Sequence, residues 1–165
     1  AGANPLDQAD LAADSIRQQT GVPRSEISLL VGATVWQSLR KSPALTAFYQ
    51  YVQAGATHLN EATVANALGI KEIIIGNAVG NTGVEGGTPT NADIWGNFAL
   101  FYHKVDSPRP LTPHGVGACF QMAGHQAGRV ERYREEPRSE IVLVSYLEDR
   151  VVTNAKAGYL FTTVV

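Results

Sequence analysis

Four histidines are the side chains of this chain best suited to binding a metal or transferring a proton: His58, His103, His114 and His125. No two of them are spaced as His-x-x-x-His, and no His-Glu-x-x-His motif occurs, so the paired helical ligands of zinc enzymes are missing. His114 lies in a proline-rich stretch and His125 lies in a short glycine-flanked segment, where an exposed histidine is the usual case. The sequence therefore predicts no metal site.

The candidate nucleophiles and acid pairs lack the neighbours that would activate them. Cys119, the only cysteine, lies in a predicted strand, and we expect a buried, inert thiol with no intrachain disulfide. The pairs Glu135-Glu136 and Glu148-Asp149 fall in predicted turns, where carboxylates are usually solvated. No Gly-x-Ser-x-Gly motif surrounds the serines in or beside predicted strands, which are Ser28, Ser139 and Ser145. We therefore predict no catalytic residues.

The segment Gly80-Asn-Thr-Gly-Val-Glu-Gly-Gly-Thr-Pro89 has the glycine content of a phosphate-binding loop without its chemistry. It lacks the Gly-Lys-Ser/Thr ending that supplies a lysine to the phosphates and a hydroxyl to Mg²⁺, and no helix is predicted after it. Residues 76–91 are rich in Gly, Asn and Thr throughout. We predict a surface loop or mobile flap there, either a flexible hairpin or a subunit contact, and no bound cofactor.

The composition indicates a globular chain that forms one compact domain. The 165 residues are 44% hydrophobic and 17% charged, and a chain of this size buries roughly 70% of its unfolded surface. The net charge of −2, without a Lys/Arg-rich block, argues against a dedicated nucleic-acid-binding protein. No apolar run approaches the roughly 18–20 residues that cross a bilayer, so we expect no membrane partner. The start at Ala1, without a signal peptide, favours a fragment of a longer protein.

Helix signals dominate the first half of the chain. Asn4-Pro5 is a helix start, and the sequence then runs without a breaker to Gln19. Asn60 is a second cap residue, and Gly69 ends the helix that follows it. The predicted helices cover residues 6–19, 33–41, 43–55 and 61–68, and the predicted strands between them cover residues 27–31 and 70–75.

Strand signals dominate the second half of the chain. Clusters of β-branched and aromatic residues predict strands over residues 98–103, 116–122, 130–134, 141–146 and 159–165. Because helices come first and strands last, the predicted fold class is α+β rather than a βαβ ladder. The last predicted strand ends the sequence, so we expect it to pair with a strand from elsewhere in the fold.

One segment, Ala92-Asp-Ile-Trp-Gly-Asn-Phe-Ala-Leu-Phe-Tyr-His-Lys104, places Trp-Gly at the start of a strand of bulky residues and after a Gly/Thr/Asn loop. With the order of the surrounding segments, it resembles the major capsid (coat) proteins of tailed bacteriophages, which have the HK97 fold. The helix after Gly2 resembles the spine helix of that family, and residues 29–39 resemble its strand leading into a helix. Residues 66–78 are similar to its strand through the axial domain, and residues 138–165 to its closing strands.

This resemblance implies an α+β, HK97-like fold with a spine helix in a peripheral part and a mixed sheet in an axial part. It divides the chain into a peripheral part with the spine helix and first strand, a mainly axial domain, and closing strands that return toward the peripheral part, over residues 1–32, 33–137 and 138–165. The family carries an N-terminal arm and an extended loop before the spine helix. Neither is in this sequence, so the resemblance implies a subunit truncated at its N-terminus.

The function implied by the resemblance is structural and not enzymatic. Such subunits self-assemble into pentamers and hexamers that form the icosahedral capsid of a phage or prophage around packaged DNA. Non-specific contact with that DNA, and contacts with portal and scaffold proteins, are the further partners expected. The implied location is the virion capsid, assembled in the cytoplasm of the bacterial host. Residues 76–91 and 108–115 are the candidate contact or axial loops.

Two alternatives remain open from the sequence. An encapsulin-like nanocompartment subunit would share the fold but enclose enzymes in place of DNA. A small α+β hydrolase or ligand-binding domain is the second alternative, because a site assembled in three dimensions leaves no sequence motif. It would require a deep pocket that brings together at least two of His58, Glu85, Asp93, His103 and His114.

Overall fold

The computed structural model describes residues 4–52, 59–105, 114–123, 129–135, 139–162 and 164. The chain divides into two compact units, which we call the main unit (Ala1–Val116 and Asn154–Val165) and the inserted unit (Gly117–Thr153). The described residues form an α+β structure, as the sequence predicts, with four helices and several small sheets. No helix in these ranges combines the length and apolar character required to cross a bilayer.

The first and last helices of the main unit begin and end within one residue of the positions that the sequence indicates, and the predicted end of the third helix at Gly55 lies outside the described residues. The first, α1 (Pro5–Thr20), begins where the Asn4 side chain accepts a hydrogen bond from the backbone N–H of Leu6, and it ends at Gly21 with a φ of 75°. The last, α4 (Glu61–Leu68), has a capping box between Asn60 and Thr63 and ends at Gly69 with a φ of 65°. Between them lie α2 (Ala33–Arg40) and α3 (Pro43–Val52).

A four-stranded mixed sheet in the order β10-β5-β1-β2 forms the centre of the main unit. The parallel pair is β1 (Ile27–Gly32) and β2 (Glu72–Gly76), which are joined through the three later helices. Antiparallel to β1 runs β5 (Ala99–His103), and antiparallel to β5 runs β10 (Gly158–Phe161). The prediction that the last strand pairs with a strand elsewhere in the fold is therefore confirmed. The prediction that this strand continues to the end of the sequence is wrong, because β10 ends at Phe161 and neither Thr162 nor Val164 lies in a strand.

The hydrophobic core lies between the helices and this sheet. The buried face of α1 is spaced for a helix, since its members fall three or four positions apart: Ala9, Ala12, Ala13 and Ile16. The sheet contributes Leu29 and Val31 of β1 and Phe101 of β5, and α4 contributes Val64 and Leu68. Each fully buried Leu, Ile or Val stabilises the fold by about 1.5–3 kcal/mol.

The described part of the inserted unit consists of two antiparallel sheets, each with two strands. One pairs β6 (Ala118–Gln121) with β9 (Glu148–Val151), and the other pairs β7 (Arg129–Glu135) with β8 (Ser139–Ser145). No side chain described in this unit belongs to the buried core. Where their side chains are described, these strands are therefore held by their backbone ladders and not by buried side chains.

One expectation about the last third of the sequence is wrong. Glu148-Asp149 does not lie in a turn, because it starts β9, which pairs with β6 across a long sequence separation. The two predicted closing strands lie in different sheets, since β8 pairs with β7 in the inserted unit and β10 pairs with β5 in the main unit. Local sequence indicates strand character, but the choice of neighbour depends on distant residues.

Candidate functional site

The glycine-rich segment forms an exposed arm on the main unit, which we call the β3–β4 arm (residues 77–94). Its strands β3 (Val79–Asn81) and β4 (Asn91–Asp93) pair in antiparallel register. The Oδ1 atom of Asn81 accepts hydrogen bonds from the backbone N–H groups of Gly83, at 2.9 Å, and Thr90, at 3.0 Å. The prediction of a hairpin is confirmed, and the arm exposes the apolar side chains of Val79, Val84 and Ile94.

Trp95 holds the base of this arm against the ends of two central strands. A Cβ atom added to Gly76 would lie 2.4 Å from Cδ1 of the Trp95 ring, and one added to Gly32 would lie 2.1 Å from the Trp95 carbonyl oxygen. Both distances are far below van der Waals contact. Glycine at the ends of β1 and β2 therefore allows the Trp95-Gly96 backbone and ring to approach the sheet.

The β7–β8 hairpin of the inserted unit presents apolar side chains on both of its faces. Val142 and Val144 point to one face and Leu143 to the other, because side chains alternate along a strand. These three side chains are 51%, 64% and 47% exposed, and Val130, which pairs with Val144, is also exposed. Neighbouring exposed apolar side chains indicate a surface that contacts another molecule.

A polar network lies on the β6–β9 sheet of the same unit. The Tyr146 hydroxyl donates to Oε2 of Glu148 at 2.7 Å, and Gln121 Nε2 donates to that hydroxyl at 2.7 Å. Arg150 forms an ion pair with Glu148. The hydrogen bond from Tyr146, aided by Cys119 and Arg150, lowers the pKa of Glu148, and the same bond raises the pKa of Tyr146.

Cys119 joins this network, and the expectation that it is buried is wrong. Its side chain is exposed, because the β6–β9 sheet has two strands and no covering layer among the described residues. Its Sγ atom lies 3.4 Å from Oε2 of Glu148. Desolvation, followed by the hydrogen bond and charge of Glu148, raises the pKa of the thiol. A raised pKa lowers the fraction of the nucleophilic thiolate.

A cavity of about 500 Å³ in the main unit brings together two of the four histidines. It is lined by residues that include Glu26, Lys71, His103, Lys104 and His114. The His103 Nδ1–H group donates to the backbone carbonyl oxygen of His114 at 2.8 Å, and His103 Nε2 lies 3.4 Å from Oε2 of Glu26. The His114 Nδ1–H group donates to the carbonyl oxygen of Thr20 at 3.2 Å.

These bonds tie the ends of three elements to one another. His103 ends β5 and is 8% exposed, and its burial follows from the alternation that also buries Ala99 and Phe101. Both rings use Nδ1 to bind backbone carbonyl groups, which joins the end of β5, the turn at His114 and the end of α1. The sequence signal that could have identified His103 is this inward position in the strand.

The remaining candidate residues do not join this cavity. Glu85 and Asp93 lie on the β3–β4 arm and are exposed. His58 and His125 lie outside the described residues, as does most of the predicted loop 108–115. Within the described ranges, no group of three or more His, Cys, Asp or Glu side chains is placed to hold a metal ion.

A second cavity of about 500 Å³ opens beside the core of the main unit and is mainly apolar. Its walls include Leu29, Phe101 and Phe161, and its polar lining comes from Gln8, Ser38 and Ser42. No titratable side chain lines it among the residues that the structure describes. This cavity therefore offers no acid or base to a bound molecule.

Comparison with known proteins identifies a shared fold. No protein-family model matches the chain, and no curated protein matches it. The solved structure of a phage-related protein from Bordetella bronchiseptica matches 98% of this chain with a TM-score of 0.78 and 21% sequence identity. The chain spans 51% of the length of that protein. The chain therefore has a fold that is also found in a phage-related protein.

Proposed function

We propose that this chain is a structural subunit of an icosahedral phage or prophage capsid, in which copies assemble into pentamers and hexamers around packaged DNA. The observation that carries the proposal is the fold, which is shared over 98% of the chain with a phage-related protein. The ordered segments that resemble tailed-phage coat proteins give the same assignment from the sequence. The proposed location is the virion capsid.

The exposed hairpins support a role in contacts between proteins. The β3–β4 arm and the β7–β8 hairpin both present apolar side chains to solvent, among them Val84, Ile94, Val142 and Val144. Shell subunits require several small contacts that form reversibly, because errors in a growing shell must be corrected. Slender hairpins with limited apolar area suit such contacts better than one large hydrophobic surface.

The chemistry of the cavities supports a structural role over a catalytic one. The histidine cavity does bring together His103 and His114, two of the residues that the ligand-binding alternative requires, but both rings use Nδ1 to donate to backbone carbonyl groups. The apolar cavity has no titratable lining among the described residues. The one thiol, Cys119, has a raised pKa. We therefore propose that the chain is not an enzyme. The proposed partners follow from the capsid assignment and are copies of the chain, portal and scaffold proteins, and packaged DNA.

Electron microscopy of the intact gene product that contains these 165 residues tests the proposal. The protein is purified at micromolar concentration, and its mass is measured by light scattering before grids are prepared. We expect rings with fivefold or sixfold symmetry, or closed shells, because capsid subunits form both. A protein that remains strictly monomeric over a wide range of concentration and salt contradicts the proposal.

A further inference from the structure

The two strands of the β7–β8 hairpin differ in how their outer edges are protected against pairing. The β7 sequence, Arg129-Val-Glu-Arg-Tyr-Arg-Glu135, has five charged residues among seven. The β8 sequence, Ser139-Glu-Ile-Val-Leu-Val-Ser145, has one. Charged residues on an edge strand discourage another strand from pairing with it, whereas an apolar edge strand invites pairing. The β8 edge is therefore the edge of this hairpin that favours pairing with another strand.

This edge is seven residues long and regular. The two strands pair residue for residue from Arg129↔Ser145 to Glu135↔Ser139, without a bulge that would bend the edge away. In the part of the chain that the structure describes, this sheet contains two strands. A two-stranded hairpin is marginally stable in water, and a third strand adds a ladder of hydrogen bonds and apolar contacts. Val142, Leu143 and Val144 are the exposed side chains available for such contacts.

We propose that the β8 edge pairs with β8 of a second copy of this chain, antiparallel and centred on Val142. The two hairpins would then form one four-stranded sheet, in the order β7-β8-β8-β7, across a twofold axis. This inference rests on the proposed self-assembly and names one of its contacts. A twofold contact is self-complementary, so the same strand serves both copies.

The β8 sequence fits this pairing in register. With Val142 opposite itself, residue 141 lies opposite residue 143, and residue 140 opposite residue 144. The single charged residue, Glu140, therefore lies opposite Val144 and not opposite the Glu140 of the other copy. No two like charges oppose each other, and the centre pairs β-branched and aliphatic residues, which stabilise adjacent strands. The charge-rich β7 strands remain at the outside, where charges protect the new edges.

Substitutions that place opposite charges at the twofold axis test the proposal on the intact gene product. In the Val142→Lys variant two lysines oppose each other, and in the Val142→Glu variant two glutamates do. We expect each variant alone to weaken self-association roughly tenfold, and an equimolar mixture of the two to restore it, as measured by sedimentation over a concentration series. Val152→Lys is the control, because it places the same charge on an exposed valine of the same unit that lies outside the hairpin, and it should leave association unchanged.

Disulfide trapping gives a second, independent readout. Val142→Cys is placed in a Cys119→Ser background, so that the new thiol is the only one among these 165 residues. Directly opposed residues on antiparallel strands have Cα atoms about 4.5–5.5 Å apart, which is within disulfide range. Oxidation should therefore give a covalent dimer. Val130→Cys in the same background should give none, since three strand spacings of about 4.8 Å separate the two copies there.

The outcomes separate this contact from the proposed function. Shells or rings that persist in both Val142 charge variants, without a disulfide at position 142, overturn the β8 contact and leave self-assembly standing. That result would mean that the β8 edge pairs with a strand of another protein or with no strand. A product that is monomeric before any substitution overturns the contact and the proposed function together.

Discussion

Gly76 shows at the scale of one residue how the absence of a side chain determines the position of an arm. The Trp95 ring occupies the space that a Cβ atom at this position would need, with the nearest ring carbon 2.4 Å away. We expect Gly76→Ala to destabilise the fold by about 1–3 kcal/mol, because the ring and the base of the β3–β4 arm must move. Urea denaturation, with Trp fluorescence as the signal, measures the change.

Gly96→Ala is the matched control for this substitution. A Cβ atom there would lie 3.4 Å from the Phe98 ring, which is ordinary van der Waals contact. We expect a much smaller change in the free energy of unfolding, and equal losses in the two variants would contradict the role given to Gly76.

Tyr146 and Glu148 form a pair whose titration can be checked. The tyrosine hydroxyl is the first cause of the lowered pKa of Glu148, so Tyr146→Phe should raise that pKa toward its ordinary value. A lowered folded-state pKa stabilises the fold above the unfolded-state pKa, and this contribution is lost as the pH falls through the folded-state value. Tyr146→Phe should therefore be less stable than the wild type near neutral pH. Its stability should also decrease less than that of the wild type as the pH falls into the acid range.

NMR titration of the Glu148 side-chain carboxyl carbon measures this change directly. Tyr159→Phe serves as the control, because its ring packs against Phe161 in the main unit and has no bond to Glu148. A Glu148 pKa that is identical in wild type and Tyr146→Phe would show that the hydroxyl has no effect on it.

The capping box of α4 is an interaction at the scale of a single element. Asn60 Oδ1 accepts a hydrogen bond from the Thr63 backbone N–H at 2.8 Å, and Thr63 Oγ1 accepts one from the Asn60 N–H at 2.9 Å. Asn60→Ala should reduce the free energy of unfolding by about 1 kcal/mol, because the Thr63 N–H group at the start of the helix loses its acceptor, Asn60 Oδ1. Thermal unfolding followed by circular dichroism checks the value.

Asn66→Ala is the control within the same helix. Asn66 is exposed in the middle of α4, where alanine has the higher helix propensity, so we expect no loss and a gain of a few tenths of a kcal/mol. A comparable loss in both variants would mean that asparagine content, and not the cap, supports the helix.

At the scale of the whole molecule, the two units differ in burial and should differ in protection from hydrogen exchange. The buried core of the described residues lies in the main unit, with Leu29 and Val31 on its central strand. In the monomer we expect amides of β7 and β8 to exchange at least about a hundredfold faster than those of β1, because local opening costs far less where little is buried.

Self-association should change the protection of β8 from hydrogen exchange in particular. Amides of β8 should gain protection on self-association, while those of β5 in the central sheet should change little. Exchange measured by NMR or mass spectrometry on monomer and assembly makes the comparison. Slow exchange of β8 in the monomer, at the rate of β1, would show that the hairpin is already stabilised without a partner.

Local signals in the sequence predicted most elements and their ends correctly. Asn4 and Asn60 begin helices, and Gly21 and Gly69 end them, because each cap involves residues within four positions of each other. The strands β1, β5, β7, β8 and β10 lie within one to four residues of their predicted bounds, since their β-branched and aromatic composition is also local. The α+β class followed from the order of these elements.

The sequence by itself determined most of the helices and strands, the α+β class and the lack of a catalytic or metal-binding motif. Only the tertiary structure decided which strands pair, that Glu148 starts a strand, that Cys119 is exposed, and that His103 and His114 share a cavity. The physical reason is the distance along the sequence between the residues that determine each feature. Caps and strand propensity depend on neighbours along the chain, whereas pairing and burial depend on residues far apart in sequence, such as Cys119 and Glu148, or β5 and β10.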